Sequence, residues 1–337
     1  MSGRLMRSEM AEQPDVLARL VARFDETVER VRALVPAPLA GVSFVARGSS
    51  DHAAVYGRYL AELASGRPAA LAAPSLQTLY GARVDYSGWL VVALSQSGAT
   101  PEIETVTRQL QAAGARTIAI VNQEQSPLGE AVELVIPLEA GDERAVPATK
   151  TVTAELVAVA AVAAALGELP LERRAFDALP EAVAEVLATP EAPQALAERW
   201  AGAQRTFVAA RGLLLAAALE TALKIKETTG VLAEGLSAAD LRHGPIAATG
   251  PGAPLLALDG GGATSADISE LLALAAARGA DVARCGIGAE LPLPETPEAL
   301  AAVTAVVRGQ QLALALADRR GLDPDAPAGL SKVTATE

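Results

Sequence analysis

Short apolar runs alternate with longer helical stretches along this chain. "VSFVA" (42–46) runs into Gly48-Ser49-Ser50 and then a helical pattern through Leu63. "WLVVAL" (89–94) ends in "SQSGAT" and a helix over 101–113. "RTIAIVN" (116–122) and "LVIPLE" (134–139) read as two further strands. The second half repeats the style. "RTFVAA" (205–210) precedes a long helix over 212–229, and "PLLALD" (254–259) precedes a helix over 265–278. "DVARCGI" (281–287) is followed by a helix over 297–318. Strands alternating with helices at this spacing predict an α/β protein with doubly wound parallel sheets. The expectation is two αβα sandwiches in tandem, over 41–167 and 201–322. A helical arm over 1–40, a helical connector over 168–200 and a tail over 323–337 complete the division.

Composition sharpens the picture. A chain of 337 residues has room for about two domains. It is 51% hydrophobic but only 3% aromatic, so Ala, Leu and Val must build the core. A net charge of −12 argues against a broad nucleic-acid surface and against binding to an anionic membrane. A phosphorylated ligand then requires a locally favourable site. Cys285 is the only cysteine, which rules out an intrachain disulfide and, with no signal-peptide pattern, points to a cytoplasmic protein. The uncharged run 156–166 is too short to span a bilayer and reads as a core helix. "GLLLAAALETAL" reads the same way, broken by Glu220.

The strand ends carry candidate chemistry. In open parallel sheets ligands bind beyond the carboxyl ends of strands, where a following helix offers free N–H groups. Ser95, Gln96, Ser97 and Thr100 stand at one such end, with Pro101 opening the helix. Ser49 and Ser50 stand at another. Hydroxyls and amides there can donate to a phosphate. Either cluster alone is explained by N-capping; two in one half of the chain favour a ligand. The glycine-rich fingerprints of dinucleotide and nucleoside triphosphate sites are missing, so no such cofactor is expected.

The second half holds the acid–base candidates. "ETALKIKETTGVLAEG" puts Lys224 and Glu227 three apart, on one helix face. A solvated surface pair would give the same spacing, but the neighbours here are apolar. His243 precedes Gly244-Pro245 on an expected loop. It is either an acid–base group or an incidental exposed histidine. His52 reads as structural. Two histidines and one cysteine, widely separated, make no metal site.

Six stretches, "MRSEMAEQPDVL" (6–17), "ARGSSDHAA" (46–54), "LSQSGATPE" (94–102), "DERAVPATKTVTAEL" (142–156), "ALKIKETTGVLAEGLSAADLRHGPIA" (222–247) and "GLSKVTATE" (329–337), carry a family resemblance. The chain resembles the two-domain sugar isomerase (SIS) family. Within it, the chain is similar to the isomerase half of glucosamine-6-phosphate synthase and to stand-alone SIS-type glucosamine-6-phosphate deaminases. The resemblance implies that Ser50, Ser95, Gln96, Ser97 and Thr100 bind the sugar phosphate, and that Val146 and Thr149 line the sugar pocket. It implies that Glu227 moves a proton between C1 and C2, with Lys224 close to the C1 or C2 oxygen. It implies that His243 assists ring opening from the partner subunit of a homodimer, and that Lys332 engages the open-chain sugar. Ala99 and Ala148 depart from the pattern, standing where the synthase carries Glu and Ser.

The synthase also has a glutaminase domain with a cysteine nucleophile at its mature N-terminus. Here Ser2 is second in a chain that goes almost directly into the isomerase segment. Glutamine hydrolysis by that route is therefore not expected. The expected reaction is conversion of glucosamine 6-phosphate to fructose 6-phosphate and ammonia, without a cofactor. Deglycation of a fructosamine 6-phosphate, isomerisation of another aminosugar phosphate, or sensing without turnover are the alternatives. The tail is expected to be extended, to be anchored by Leu330 and Val333, and to fold over the sugar site with Lys332.

Overall fold

The apolar runs become the centres of two all-parallel sheets. The computed structural model describes residues 2–332. In chain order, the elements of the first half are α1 (Arg4–Ala11), α2 (Gln13–Ala22), α3 (Phe24–Arg32), β1 (Gly41–Val45), α4 (Ser49–Ser65), β2 (Ala69–Leu71), α5 (Ser75–Thr78), β3 (Trp89–Ser95), α6 (Pro101–Ala112), β4 (Arg116–Val121), β5 (Leu134–Pro137) and α7 (Lys150–Leu166). The second half adds α8 (Leu179–Leu187), α9 (Glu191–Trp200), β6 (Arg205–Ala210), α10 (Leu215–Thr229), β7 (Leu232–Ser237), α11 (Ala238–Arg242), β8 (Leu255–Leu258), α12 (Ser265–Ala277), β9 (Val282–Gly286), β10 (Leu291–Pro292) and α13 (Glu298–Arg319).

The chain divides into two compact units. One contains Asp15–Glu143 and Lys150–Glu172 and holds the first sheet. The other contains the residues up to Pro14, Arg144–Thr149 and Arg173–Lys332, and holds the second sheet. The first sheet runs β2-β1-β3-β4-β5 and the second β10-β9-β8-β6-β7. Each therefore reverses its direction of growth once, between β1 and β3 and between β6 and β8. Those reversals are the places where a doubly wound sheet opens a crevice at its carboxyl edge.

The central strands were predictable because a parallel strand covered on both faces is an unbroken apolar run. All of β1 is buried, as is β3 after Trp89. Strands β2, β7 and β10 were not predicted. They are edge strands, and β2 and β7 are half-exposed and carry an irregular pattern. The stretch before residue 40 is three short helices rather than one arm.

Helix α7 is buried almost all round, and from Leu156 onward it is built of Ala, Val and Leu alone. Helix α13 is long and apolar enough to cross a bilayer, but that stretch is entirely buried within the fold. Gly309 lets α13 lie close against α10, because a Cβ there would overlap the Thr221 hydroxyl.

Candidate active site

The first sheet ends in a loop of hydroxyls and backbone amides. β1 and β3 pair in register, with Val45 opposite Ala93, so their polar ends emerge side by side. The loop after β3 is tightly bound. Ser95 Oγ accepts from Gly98 N at 3.2 Å, and Ser97 Oγ accepts from Ala99 N at 3.2 Å. Asn122 N donates to Gln96 O, and Leu128 N donates to Gly98 O. Gly98 has φ +63°, and a Cβ there would overlap Ser126 Oγ. Only glycine fits both restrictions.

Capping does not account for this loop. Thr100 is the N-cap residue of α6, yet its side chain makes no capping bond. Gly48, not a serine, is the N-cap of α4. Ser49 and Ser50 are the first two residues of that helix. Ser50 donates its proton inward to Glu155 Oε1 at 2.7 Å. Ser49 is the more exposed of the two. Near them, Arg47 forms a bidentate pair with Glu102, Nε to Oε2 at 2.9 Å and Nη2 to Oε1 at 3.0 Å. Burial raises the pKa of Asp51, while His52 and Arg47 pull it back down.

The acid–base cluster stands on α10. Glu220, Lys224 and Glu227 occupy positions i, i+4 and i+7 and so share one face. Lys224 Nζ lies 3.2 Å from Glu220 Oε1 and 2.5 Å from Glu227 Oε2. Lys224 is wholly buried, Glu220 is buried, and only Glu227 keeps about a fifth of its side chain exposed (20%). Lys224 therefore acts on Glu227 rather than offering its ammonium outward. Burial alone would lower the Lys224 pKa, but the two carboxylates outweigh it and hold the group above its ordinary value. The Glu227 carboxyl is raised, first by burial and further by Glu220; Lys224 and Lys332 oppose the rise. A carboxylate poised above its ordinary range is suited to take and return a proton.

Sequence reading missed Glu220, taking it as a break in an apolar run. Its signal was the i, i+4 distance to Lys224. The reading also passed over the Arg47–Glu102 pair, whose members lie 55 residues apart.

The other candidates fall in several places. His243 follows α11 and is exposed. Val146 and Thr149 lie in the segment before α7; Val146 is half-buried and Thr149 fully buried, and Gln310 Nε2 donates to Thr149 O at 3.1 Å. Residues 322–332 form no helix or strand. Leu330 does not anchor this tail, being 49% exposed. Val333 lies outside the described residues. The anchors are carboxylates instead. Gly3 N donates to Asp323, and Leu5 N and Met6 N donate to Asp325 at 2.8 and 2.9 Å. Asp325 thereby takes unpaired N–H groups at the start of α1, where the helix dipole favours negative charge. Lys332 follows closely enough for its charge to act on Glu227. Among the described residues no cluster of His, Cys, Asp and Glu could hold a metal ion.

Two doubly wound sheets, one ending in a hydroxyl-lined loop, define a tandem sugar-isomerase architecture. The SIS domain pattern matches residues 41–165 and 201–291, and the chain belongs to the SIS domain family. It is 32% identical to the isomerizing glutamine–fructose-6-phosphate aminotransferase of Thermococcus kodakarensis, over 98% of this chain and 58% of that protein. The chain thus spans little more than half the length of that relative. A solved candidate phosphosugar isomerase from Silicibacter pomeroyi DSS-3 is 34% identical with a TM-score of 0.86, covering 96% of this chain and 100% of that one. The glucosamine-6-phosphate deaminase of Thermotoga maritima superposes with a TM-score of 0.82 over 98% of this chain and 99% of that one. At 22% identity it shows the shared fold.

Proposed function

We propose that the chain is an aminosugar-phosphate isomerase that deaminates glucosamine 6-phosphate to fructose 6-phosphate and ammonia. The observation that carries this reading is the Glu227 carboxylate. It is mostly buried, paired with Lys224 and raised above its ordinary range. Relatives whose names describe phosphosugar chemistry support the substrate class.

The steps follow from one mobile proton. With the sugar ring open, Glu227 removes the proton from C2, the C–H pair forms a C1=C2 double bond, and the carbonyl oxygen takes a proton from water to give an enolamine. Returning the proton to C1 leaves an imine at C2. Water adds to C2 and ammonia departs, so one water is consumed for each ammonia released. His243 assists ring opening from the partner subunit of a homodimer, and Lys332 engages the open-chain oxygen. Ser95, Gln96, Ser97, Thr100 and Ser49 hold the phosphate. Ser50 supports them through Glu155 in this geometry, since its proton is already donated there. Val146 and Thr149 bound the sugar.

The nitrogen source follows from the residues present. Cys285 is the only cysteine in the sequence, fully buried, with its thiol pushed up by burial to about 12. These 337 residues therefore supply no cysteine thiolate for glutamine hydrolysis. In reverse, these residues are expected to use ammonium as the donor. The test is ammonia release from a panel of phosphorylated aminosugars. Glucosamine 6-phosphate should release ammonia with equimolar fructose 6-phosphate. Turnover confined to a fructosamine 6-phosphate would replace this reading with a deglycase, and binding of all members without turnover would make the chain a sensor.

A further inference from the structure

The loop that would hold a phosphate is built from neutral donors in a chain of net charge −12. Neutral donors and a helix N-terminus can hold a phosphate, and a cation beside them adds the charge complementarity they lack. Across residues 46–57 and 94–107, the two strand ends with the helix starts that follow them, Arg47 is the only lysine or arginine. It sits two residues beyond β1, beside the point where the first sheet reverses its direction of growth. Its partner Glu102 is in the first turn of α6, directly after the Ser95–Thr100 loop. The guanidinium is therefore tied to the helix start that this loop feeds.

The pair is asymmetric. Glu102 is only 8% exposed, whereas Arg47 is 48% exposed. Nε and Nη2 are engaged by the carboxylate, which leaves Nη1 on the side away from it. Among the described residues no protein acceptor takes the Nη1 donors. A guanidinium held this way is already ordered before a ligand arrives, so binding costs less side-chain entropy. Its remaining fork edge matches the geometry of a phosphate. As a device for stability alone, a half-exposed pair would contribute little.

We propose that Arg47 is the group that makes this site select a phosphorylated sugar, with Glu102 holding the guanidinium in place for the phosphate. The inference rests on the phosphosugar reading above and adds the residue that sets its specificity. Arg47→Met should weaken fructose 6-phosphate binding roughly ten- to a hundredfold while leaving fructose binding unchanged. Arg47→Lys keeps the charge but not the fork, and should fall between wild type and Arg47→Met.

Calorimetry on the full chain with fructose 6-phosphate and fructose measures the ratio directly. A purely structural role would lower both affinities together. A second measurement needs no variant. Modification of wild-type Arg47 by phenylglyoxal, read by peptide mass spectrometry, should slow with fructose 6-phosphate and not with fructose. An Arg47→Met protein that keeps its preference for the phosphorylated sugar overturns the proposal. So does labelling of Arg47 that fructose 6-phosphate leaves unchanged. A wild-type chain that binds fructose as tightly as fructose 6-phosphate overturns the phosphosugar reading itself, and the role of Arg47 with it.

Discussion

Glu227 is the residue on which the proposed chemistry turns. Its carboxyl is raised above the ordinary carboxylate range by burial and by Glu220. As a base it must be ionised, so kcat/KM should fall as pH drops through that raised value. Glu220→Gln removes one of the two raising causes, so the acid limb of the profile should move to lower pH. A limb that stays in place would show that Glu220 does not tune the base. At the loop proposed to hold the phosphate, Ser97→Ala or Thr100→Ala should weaken phosphorylated sugars, by roughly 1.5–3 kcal/mol for each charged hydrogen bond lost. Isothermal titration with fructose 6-phosphate and fructose checks this, and equal weakening of both would mean the hydroxyls only shape the loop. The Lys224–Glu227 pair was legible in the sequence as a three-residue spacing among apolar neighbours. Glu220 was not, because a single charge in an apolar run looks like an interruption until its partner is placed.

Among the elements, the central strands and the edge strand β5 were legible, whereas the edge strands β2, β7 and β10 were not. A strand covered on both faces must be apolar throughout, as in "WLVVALS"; an edge strand such as "LAEGLS" answers to solvent on one side. The loop after β3 could be located from sequence, but not its bonding. That bonding depends on Asn122 and Leu128, which lie beyond α6 and donate to Gln96 O and Gly98 O. The bonding makes a prediction about the loop as a unit. Gly98→Ala forces a left-handed backbone position and an overlap with Ser126. Strained positions of this kind cost about 1–3 kcal/mol. Thermal unfolding should show that loss, and an unchanged melting temperature would mean the loop relaxes freely.

For the whole molecule, the two-sheet plan follows from the alternation of strands and helices, and the family pattern covers both halves. The tail was the least legible part. Its anchors are Asp323 and Asp325 on the start of α1, some 320 residues earlier in the chain, and no local pattern announces such a pairing. Removing residues 329–337 takes Lys332 away but leaves both anchors, so the protein should stay folded and lose most turnover. Circular dichroism and ammonia release measured together would check this. Full activity after truncation would remove Lys332 from the mechanism. The central claim, that Glu227 carries a proton between C1 and C2 of an aminosugar phosphate, is tested most directly by isotope exchange. Wild type and Glu227→Gln are incubated with glucosamine 6-phosphate in heavy water, and the ammonia and the deuterium in the fructose 6-phosphate are measured. Wild type should release ammonia, with deuterium entering at C1 as the proton on Glu227 exchanges with heavy water before it is returned, and the variant should bind the sugar but slow both by about 10²–10⁴-fold. Ammonia release and deuterium entry in the variant at near wild-type rate would contradict the account.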